Sequence, residues 1–198
     1  MPPRAPAMPP DERRATIVTA ALGILRVKGE AATTREIAEA AGVAEGTLFR
    51  VFRTKEDLVC AAMAHAFDPA PMLDGLRQID VGLPLRERLV SAVEVVQGHY
   101  RDMFGLMHSM RLGHPPERRP GAPDDDHGAS WRQQVEDELE ALIAPDADQL
   151  RVPVADLVDL VGLLAFAGSH PVLTQGRTLS ADTIIEVLLD GTRKGDPC

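Results

Sequence analysis

Cysteine and long apolar runs are both scarce in this sequence. The two cysteines are Cys60, in an apolar helical run, and Cys198 at the last position. Two such cysteines provide neither a disulfide framework nor a CxxC metal site, which suits a reducing compartment. No run reaches the roughly 18 apolar residues that cross a membrane. The proline-rich start also lacks the apolar core of a signal peptide. These absences predict a cytoplasmic protein with no membrane partner.

Catalytic motifs are missing as well. None of the serines lies in a GxSxG context. Walker, GxGxxG and HExxH patterns do not occur, and no pair of histidines has clear metal spacing. The sequence therefore predicts a protein that is not an enzyme and that holds no metal or cofactor.

Charge is negative overall but unevenly distributed. The net charge is −9. Residues 1–56 contain nine Lys/Arg and seven Asp/Glu, a net of +2, whereas the remaining residues contain 12 and 23, a net of −11. Because an acidic surface repels phosphate, only the N-terminal quarter is suited to a polyanion.

Apolar residues recur at helical spacing along most of the chain, and no strand alternation persists. Thr33 with Glu36, and Thr54 with Asp57, are signatures of a helix start. The segment 113–128 is rich in Pro, Gly and Asp, which predicts a loop. Five prolines in the first ten residues predict a disordered tail. We therefore predict an all-α protein with helices over 11–28, 34–40, 45–51, 54–68, 84 to beyond 100, 129–144, 154–170 and 180–193.

Residues 34–51 fit two short helices joined by a tight turn. Gly42 can adopt the left-handed conformation that such a turn needs. The residues that can face inward with Ile37 are Val43, Leu48 and Phe52. The residues left facing outward are Glu45, Gly46, Thr47 and Arg50. This pattern is typical of a helix-turn-helix, whose second helix enters the DNA major groove. From spacing alone, an αα-hairpin without a ligand is an open alternative.

Residues 13–58 resemble the N-terminal domain of TetR-family transcriptional regulators. The resemblance covers about a quarter of the chain. It implies three helices that bind DNA, a fourth that links, and a C-terminal helical bundle for ligand binding and dimerisation. The expected domains are a disordered tail (1–10), a helix-turn-helix DNA-binding domain (11–54) and an effector-binding and dimerisation domain (55–198). The matching residues are Ala20, Ala21, Gly29, Thr34, Ile37, Ala38, Ala41, Gly42, Val43, Gly46, Thr47, Leu48, Phe52, Lys55 and Leu58.

The resemblance also implies which residues contact DNA. They are Thr34, Glu45, Gly46, Thr47, Phe49, Arg50 and Lys55. Three positions depart from the family pattern, since Ala44 replaces a capping Ser, Phe49 a Tyr, and Val51 a Tyr or His. These departures remove a helix cap and a hydroxyl from the usual phosphate contacts. They leave open an alternative function, a helical protein-interaction module with degenerate DNA binding.

The middle of the chain combines methionines with aromatic residues. Such side chains suit an adaptable apolar pocket for a small-molecule effector, although Met at helical spacing also fills cores. The predicted pocket residues are Met63, Phe67, Tyr100, Met103, Phe104, Met107 and Trp131.

Two apolar helical patterns near the end of the chain suit a dimer interface, with plain core as the alternative. The predicted interface residues are Leu157, Val161, Leu164, Ile184 and Leu188. A two-fold homodimer would match a pseudo-palindromic operator. The predicted function is therefore a dimeric transcriptional regulator, a repressor that a small molecule releases from double-stranded operator DNA.

Overall fold

In the computed structural model, which describes residues 9–112 and 127–192, every regular element is a helix. The elements are α1 (Pro10–Lys28), α2 (Thr34–Ala40), α3 (Glu45–Val51), α4 (Lys55–Ala66), α5 (Ala70–Arg77), α6 (Leu85–Ser109), α7 (His127–Ile143), α8 (Val154–Ser169) and α9 (Ala181–Thr192). Short 3-10 turns follow α1 and α7. The predicted all-α class is confirmed. None of these helices is both long and apolar enough to cross a membrane.

The first four helices begin and end close to the predicted positions. Thr33 and Glu36 form a complete capping box at the start of α2. The Thr54 hydroxyl accepts a hydrogen bond from the Asp57 amide at 3.0 Å, which caps α4. Helix α1 begins at Pro10, within the predicted tail. Residues 1–8 of that tail lie outside the described residues.

Two features of the later helices differ from the sequence prediction. Helix α5, Ala70–Arg77, was not predicted, because its pattern is short and it lacks a capping side chain like those at the starts of α2 and α4. Helix α7 begins at His127, so the last two residues of the predicted loop 113–128 are helical. The rest of that loop, residues 113–126, lies outside the described residues.

The contacts divide the chain into two compact units, and the first contains the helix-turn-helix. It runs up to Asp68 and includes the end of α6 from Gly105. Helix α1 packs against α2 and α4, and α2 packs against α3. The predicted domain boundary at residue 54 falls between α3 and α4, whereas this unit also includes α4. The fully buried core side chains come from all four helices and include Ile17, Leu25, Ile37, Leu48 and Leu58.

The second unit contains Pro69–Phe104 and helices α7 to α9. Helix α7 packs against α5 and α8, and α8 packs against α9. The buried core side chains include Leu89, Val93, Leu139, Ile143, Leu157, Val161 and Ile185. Arg88 of α6 is 2% exposed, and its guanidinium donates to the Val81 carbonyl at 2.7 Å and to the Asp146 carboxylate. This buried charge is therefore compensated by Asp146 of the turn after α7.

Gly29, immediately after α1, allows a close backbone approach in the first unit. Its φ is +55°, a region that L side chains rarely adopt. A Cβ added there would lie 1.9 Å from the carbonyl oxygen of Ser109. No side chain fits at that distance, so the junction between α1 and α2 requires glycine.

We expect Gly29→Ala to destabilise the protein by at least about 2 kcal/mol, because it combines backbone strain with a steric overlap. The matched control is Gly23→Ala in the middle of α1, where an added Cβ meets nothing within 4 Å. That change should stabilise by about 0.5–1 kcal/mol through helix propensity. Urea unfolding followed by circular dichroism measures both. Equal midpoints for the two variants would show that the Ser109 contact imposes no constraint.

Candidate nucleic-acid interface

Helix α2 ends in a turn at Gly42, which leads into α3. Gly42 has φ +66°, and its amide donates to the Glu39 carbonyl at 3.1 Å. The Val43 amide donates to the Ala38 carbonyl at 2.9 Å. This pair of bonds is the Schellman arrangement, which satisfies the last carbonyls of α2 and redirects the chain. Helix α3 therefore starts only a few residues after α2 ends.

Helix α3 has one buried and one exposed side. Leu48 is fully buried in the first core, and Phe52, just after the helix, is 2% exposed. On the other side Phe49 is 45% exposed, an unusual position for a large aromatic ring. The other exposed side chains of α3 are Glu45 and Arg50, beside exposed Gly46, and Thr47 is half-buried. Five of the seven predicted DNA-contacting residues thus lie on one short helix.

The start of α3 has no side-chain cap. Ala44 occupies the capping position and forms no side-chain hydrogen bond. Its carbonyl accepts from the amides of Thr47 and Leu48 at 2.8 and 3.3 Å. The predicted loss of a cap at Ala44 is confirmed, and the first amides of α3 receive no side-chain oxygen from residue 44.

The first residues of α2 and α3 are joined by a side-chain hydrogen bond. The Thr34 hydroxyl donates to the Glu45 carboxylate at 2.5 Å. Hydrogen bonds to an ionised acceptor are short and strong. Two predicted DNA-contacting residues thus hold each other, and Glu45 is oriented by Thr34. The eleven-residue separation between them gave no signal in the sequence.

Lys55 and Arg50 differ in what surrounds them. Lys55 is half-buried, and its ammonium donates to the Glu30 carbonyl at 3.2 Å. Arg50 is exposed and forms no ion pair with any described residue. Two further exposed cations of this unit, Arg35 and Arg53, were not among the predicted contacts. The positive excess in residues 1–56 was the signal that could have included them.

Glu36 fixes α2 to the end of α1. Its carboxylate forms an ion pair with Lys28 and accepts from the Thr33 amide at 3.1 Å. The hydrogen bond from Lys28, followed by those from Thr33, lowers the pKa of Glu36 from 4.5 to about 2. The carboxylate is therefore ionised throughout the neutral range and continues to hold the start of α2.

The second unit contains a cavity of about 370 Å³ between α6, α7 and α8. Of the predicted pocket residues, Tyr100 and Trp131 line it. Phe104 stacks on Tyr100, with ring centroids 6.1 Å apart. The full lining is Val96, Tyr100, Trp131, Arg132, Val135, Glu136, Leu139, Val158, Asp159, Val161, Gly162, Leu163, Ala165 and Phe166.

The other predicted pocket residues lie elsewhere. Met63 is buried in the core of the first unit, and Phe67 packs against the same core. Met103 is half-buried and Met107 buried on α6, and neither lines the cavity. Within residues 9–112 and 127–192, no three His, Cys, Asp or Glu side chains group as metal ligands.

The apolar side of α8 and α9 that could meet a second chain is not the predicted one. Leu157, Val161, Ile184 and Leu188 are at most 6% exposed and belong to the core of the second unit, and Leu164 is half-buried against it. A side chain that fills its own core cannot also contact a partner. The exposed apolar residues of these helices are Leu160, Leu163, Phe166 and Val187.

Part of the first unit is similar to a known protein family. The family model described as bacterial regulatory proteins, tetR family, matches residues 17–62. This segment spans most of α1, all of α2 and α3, and the start of α4.

Solved structures extend the likeness to nearly the whole chain. A TetR transcriptional regulator from Streptomyces coelicolor is 26% identical, with a TM-score of 0.54 over 91% of this chain and 98% of that one. The regulator PfmR from Thermus thermophilus shares the fold at 18% identity, with a TM-score of 0.56 over 96% and 100%. A putative TetR-family regulator from Mesorhizobium loti gives 12% identity and a TM-score of 0.59 over 95% and 100%.

The Glu36 ion pair predicts a pH dependence of stability. Because its folded pKa of about 2 lies below the ordinary 4.5, Glu36 stabilises the fold above pH 4.5, and the stabilisation is lost as pH falls toward 2. Glu36→Gln should therefore be less stable than the parent at pH 6 and equal to it near pH 2. Glu39→Gln, on an exposed position of the same helix, is the control. Chemical unfolding at several pH values tests this, and a pH-independent difference for Glu36→Gln would contradict it.

Proposed function

We propose that the chain is a DNA-binding transcriptional regulator of the TetR family, a repressor released from its operator by a small molecule. In this proposal it acts in the cytoplasm as a homodimer on a pseudo-palindromic double-stranded site. The observation that carries the proposal is that α3 has two different sides. Leu48 is buried in the core, whereas Glu45, Phe49 and Arg50 are exposed. It lies in the part of the chain with a positive excess, which favours contact with phosphate.

In this proposal α3 reads bases while the residues beside it position the protein. Glu45, held by Thr34, is an acceptor suited to the amino group of cytosine. Arg50 can bond a guanine edge or a phosphate with its forked donors. Gly46 permits close approach, since a Cβ there would meet nothing within 4 Å. Lys55, at the start of α4, is assigned to phosphate, which sets register without reading sequence.

The proposed dimer uses the outer side of α8 and α9. Helix α8 is apolar beyond its core side, because Leu157 and Val161 fill the core while Leu160 and Leu163 are 38% and 63% exposed. Exposed large apolar side chains on one helix favour a surface that a partner covers. Val187 on neighbouring α9 is 64% exposed and extends this surface. A second copy of the chain covers such a surface by two-fold symmetry.

The proposed effector site is the cavity between α6, α7 and α8. Its volume of about 370 Å³ falls in the range of roughly 300–1,000 Å³ that small-molecule sites occupy. Helix α6 contributes Tyr100 to the cavity, and its last residues, from Gly105, belong to the unit that contains the helix-turn-helix. A ligand that binds only one arrangement of α6 would shift the population of DNA-binding conformers.

The proposal is tested by selecting an operator from a random duplex library and measuring its affinity with and without candidate small molecules. A symmetric selected site and a compound that weakens binding would support it. Selection that enriches no sequence would contradict repression and favour the protein-interaction alternative.

Arg50 and Lys55 should respond differently to substitution. Lys55→Ala should weaken binding to operator and random DNA by similar factors, and should reduce the salt slope by about one, because it removes a phosphate contact. Arg50→Ala should cost about 1–3 kcal/mol on the operator and much less on random DNA. Fluorescence anisotropy at several salt concentrations measures both.

Arg177→Ala, which removes an exposed cation of the second unit, is the control and should leave DNA affinity nearly unchanged. Equal losses for Arg50→Ala on the two DNAs would show that Arg50 is a phosphate contact. Specificity would then depend on Glu45, Gly46 and Thr47.

Leu160→Glu combined with Val187→Glu should convert the dimer to monomers, since the interface would bury unpaired charges. Operator affinity should fall with it, because only a dimer spans both half-sites. Neither residue lines the cavity, so ligand binding is not directly changed. Val81→Glu, at an exposed apolar position that belongs to neither α8 nor α9, is the control. A double variant that still sediments as a dimer would place the interface elsewhere.

A further inference from the structure

The cavity of the second unit is walled by aromatic rings from three helices. Tyr100 of α6, Trp131 of α7 and Phe166 of α8 all line it. The Tyr100 and Phe166 rings meet edge to face, with centroids 5.2 Å apart. Burial raises the pKa of the Tyr100 phenol, which therefore stays neutral at physiological pH. Aromatic faces carry partial negative charge, so such walls favour ligands that are both apolar and cationic.

Two carboxylates without a counter-ion border the same space. Glu136 of α7 and Asp159 of α8 line the cavity, and neither forms an ion pair with any described residue. Two other acids of this unit do have a cationic partner, since Glu138 pairs with Arg77 and Asp146 with Arg88. Unpaired carboxylates beside apolar walls have an electrostatic preference for a cation.

One cation, Arg132, also lines the cavity, so the lining residues carry a net charge of −1. Its guanidinium carbon lies 6.0 Å from the centroid of the Trp131 ring. This contact identifies the indole face as a position where positive charge is stabilised. Arg132 is exposed and has no ion pair among the described residues, so a ligand can displace its guanidinium from the Trp131 ring.

We propose that this cavity selects apolar organic cations, such as aromatic or quaternary ammonium compounds. The rings of Tyr100, Trp131 and Phe166 would surround the apolar part, and Glu136 and Asp159 would compensate the charge. The inference rests on the proposed function only in taking this cavity as the effector site. An anionic ligand held by Arg132 is the opposite outcome, which the two free carboxylates disfavour.

The test uses two probes of the same shape and opposite charge, tetraphenylphosphonium and tetraphenylborate, in sodium buffer. Trp131 is the only tryptophan of the chain, so its fluorescence reports occupancy of the cavity directly. Titration of the full-length protein should give several-fold tighter binding of the phosphonium. Calorimetry of Trp131→Phe, which lacks the reporter, controls for optical artefacts.

Charge variants separate a local effect from the general acidity of the protein. Glu136→Gln and Asp159→Asn should each weaken phosphonium binding by about two- to five-fold, as expected for partly solvated charges. Arg132→Gln should strengthen it by a similar factor. Glu140→Gln removes the same charge from an exposed position of α7, one turn beyond Glu136 and outside the cavity lining, and should have no effect. All four changes are isosteric or shortening and leave the apolar core intact.

Equal or tighter binding of tetraphenylborate overturns the inference, as does binding of neither probe or a response to Glu140→Gln equal to that of Glu136→Gln. Operator binding, measured in parallel, distinguishes this failure from failure of the proposed function. If the borate binds and releases the operator, the repressor proposal stands and the cation preference is wrong. If the phosphonium binds with the expected charge dependence but the operator stays bound, the cation site stands and induction through this cavity is wrong.

Discussion

The burial of Leu48 is the interaction on which the proposed DNA-reading surface depends. Helix α3 has only seven residues, and Leu48 is the only one of them that is fully buried. Isolated helices shorter than about 12–15 residues are marginal in water, and Ala44 adds no cap. The position of α3 is therefore determined by its packing against α2 and by the burial of Leu48 in the first core rather than by its own stability.

Local signals explain what the sequence predicted correctly. The capping box of Thr33 and Glu36 and the turn at Gly42 act within a few residues, so the bounds of α2 and α3 could be predicted closely. Contacts between distant residues left no such signal, as the Thr34–Glu45 hydrogen bond illustrates. Periodicity also cannot tell which apolar side of a helix faces its own core. For this reason the sequence pattern predicts Leu157 and Leu188 as interface residues, although they fill the second core.

Net charge is distributed unevenly between the two parts of the chain. The positive excess lies with the helix-turn-helix, and the remainder of the chain is strongly acidic. Within the acidic unit, Arg88 and Arg77 neutralise acids at structural positions, whereas Glu136 and Asp159 beside the cavity are not paired. In our proposals the acidity of this unit has two consequences, since it disfavours contact with DNA phosphate and favours a cation in the cavity.

Leu163 and Phe166 both line the cavity and are also exposed, at 63% and 37%. In the proposed dimer, these two residues therefore affect both which ligands the cavity binds and which chains pair with each other. After a gene duplication, a change at either position would alter inducer response and pairing with the parental copy in a single step. A change at Trp131 or Glu136 would alter the response alone and leave the two copies able to form mixed dimers. Of these changes, only substitutions on α8 would therefore give a duplicated copy both a new ligand response and separate dimers.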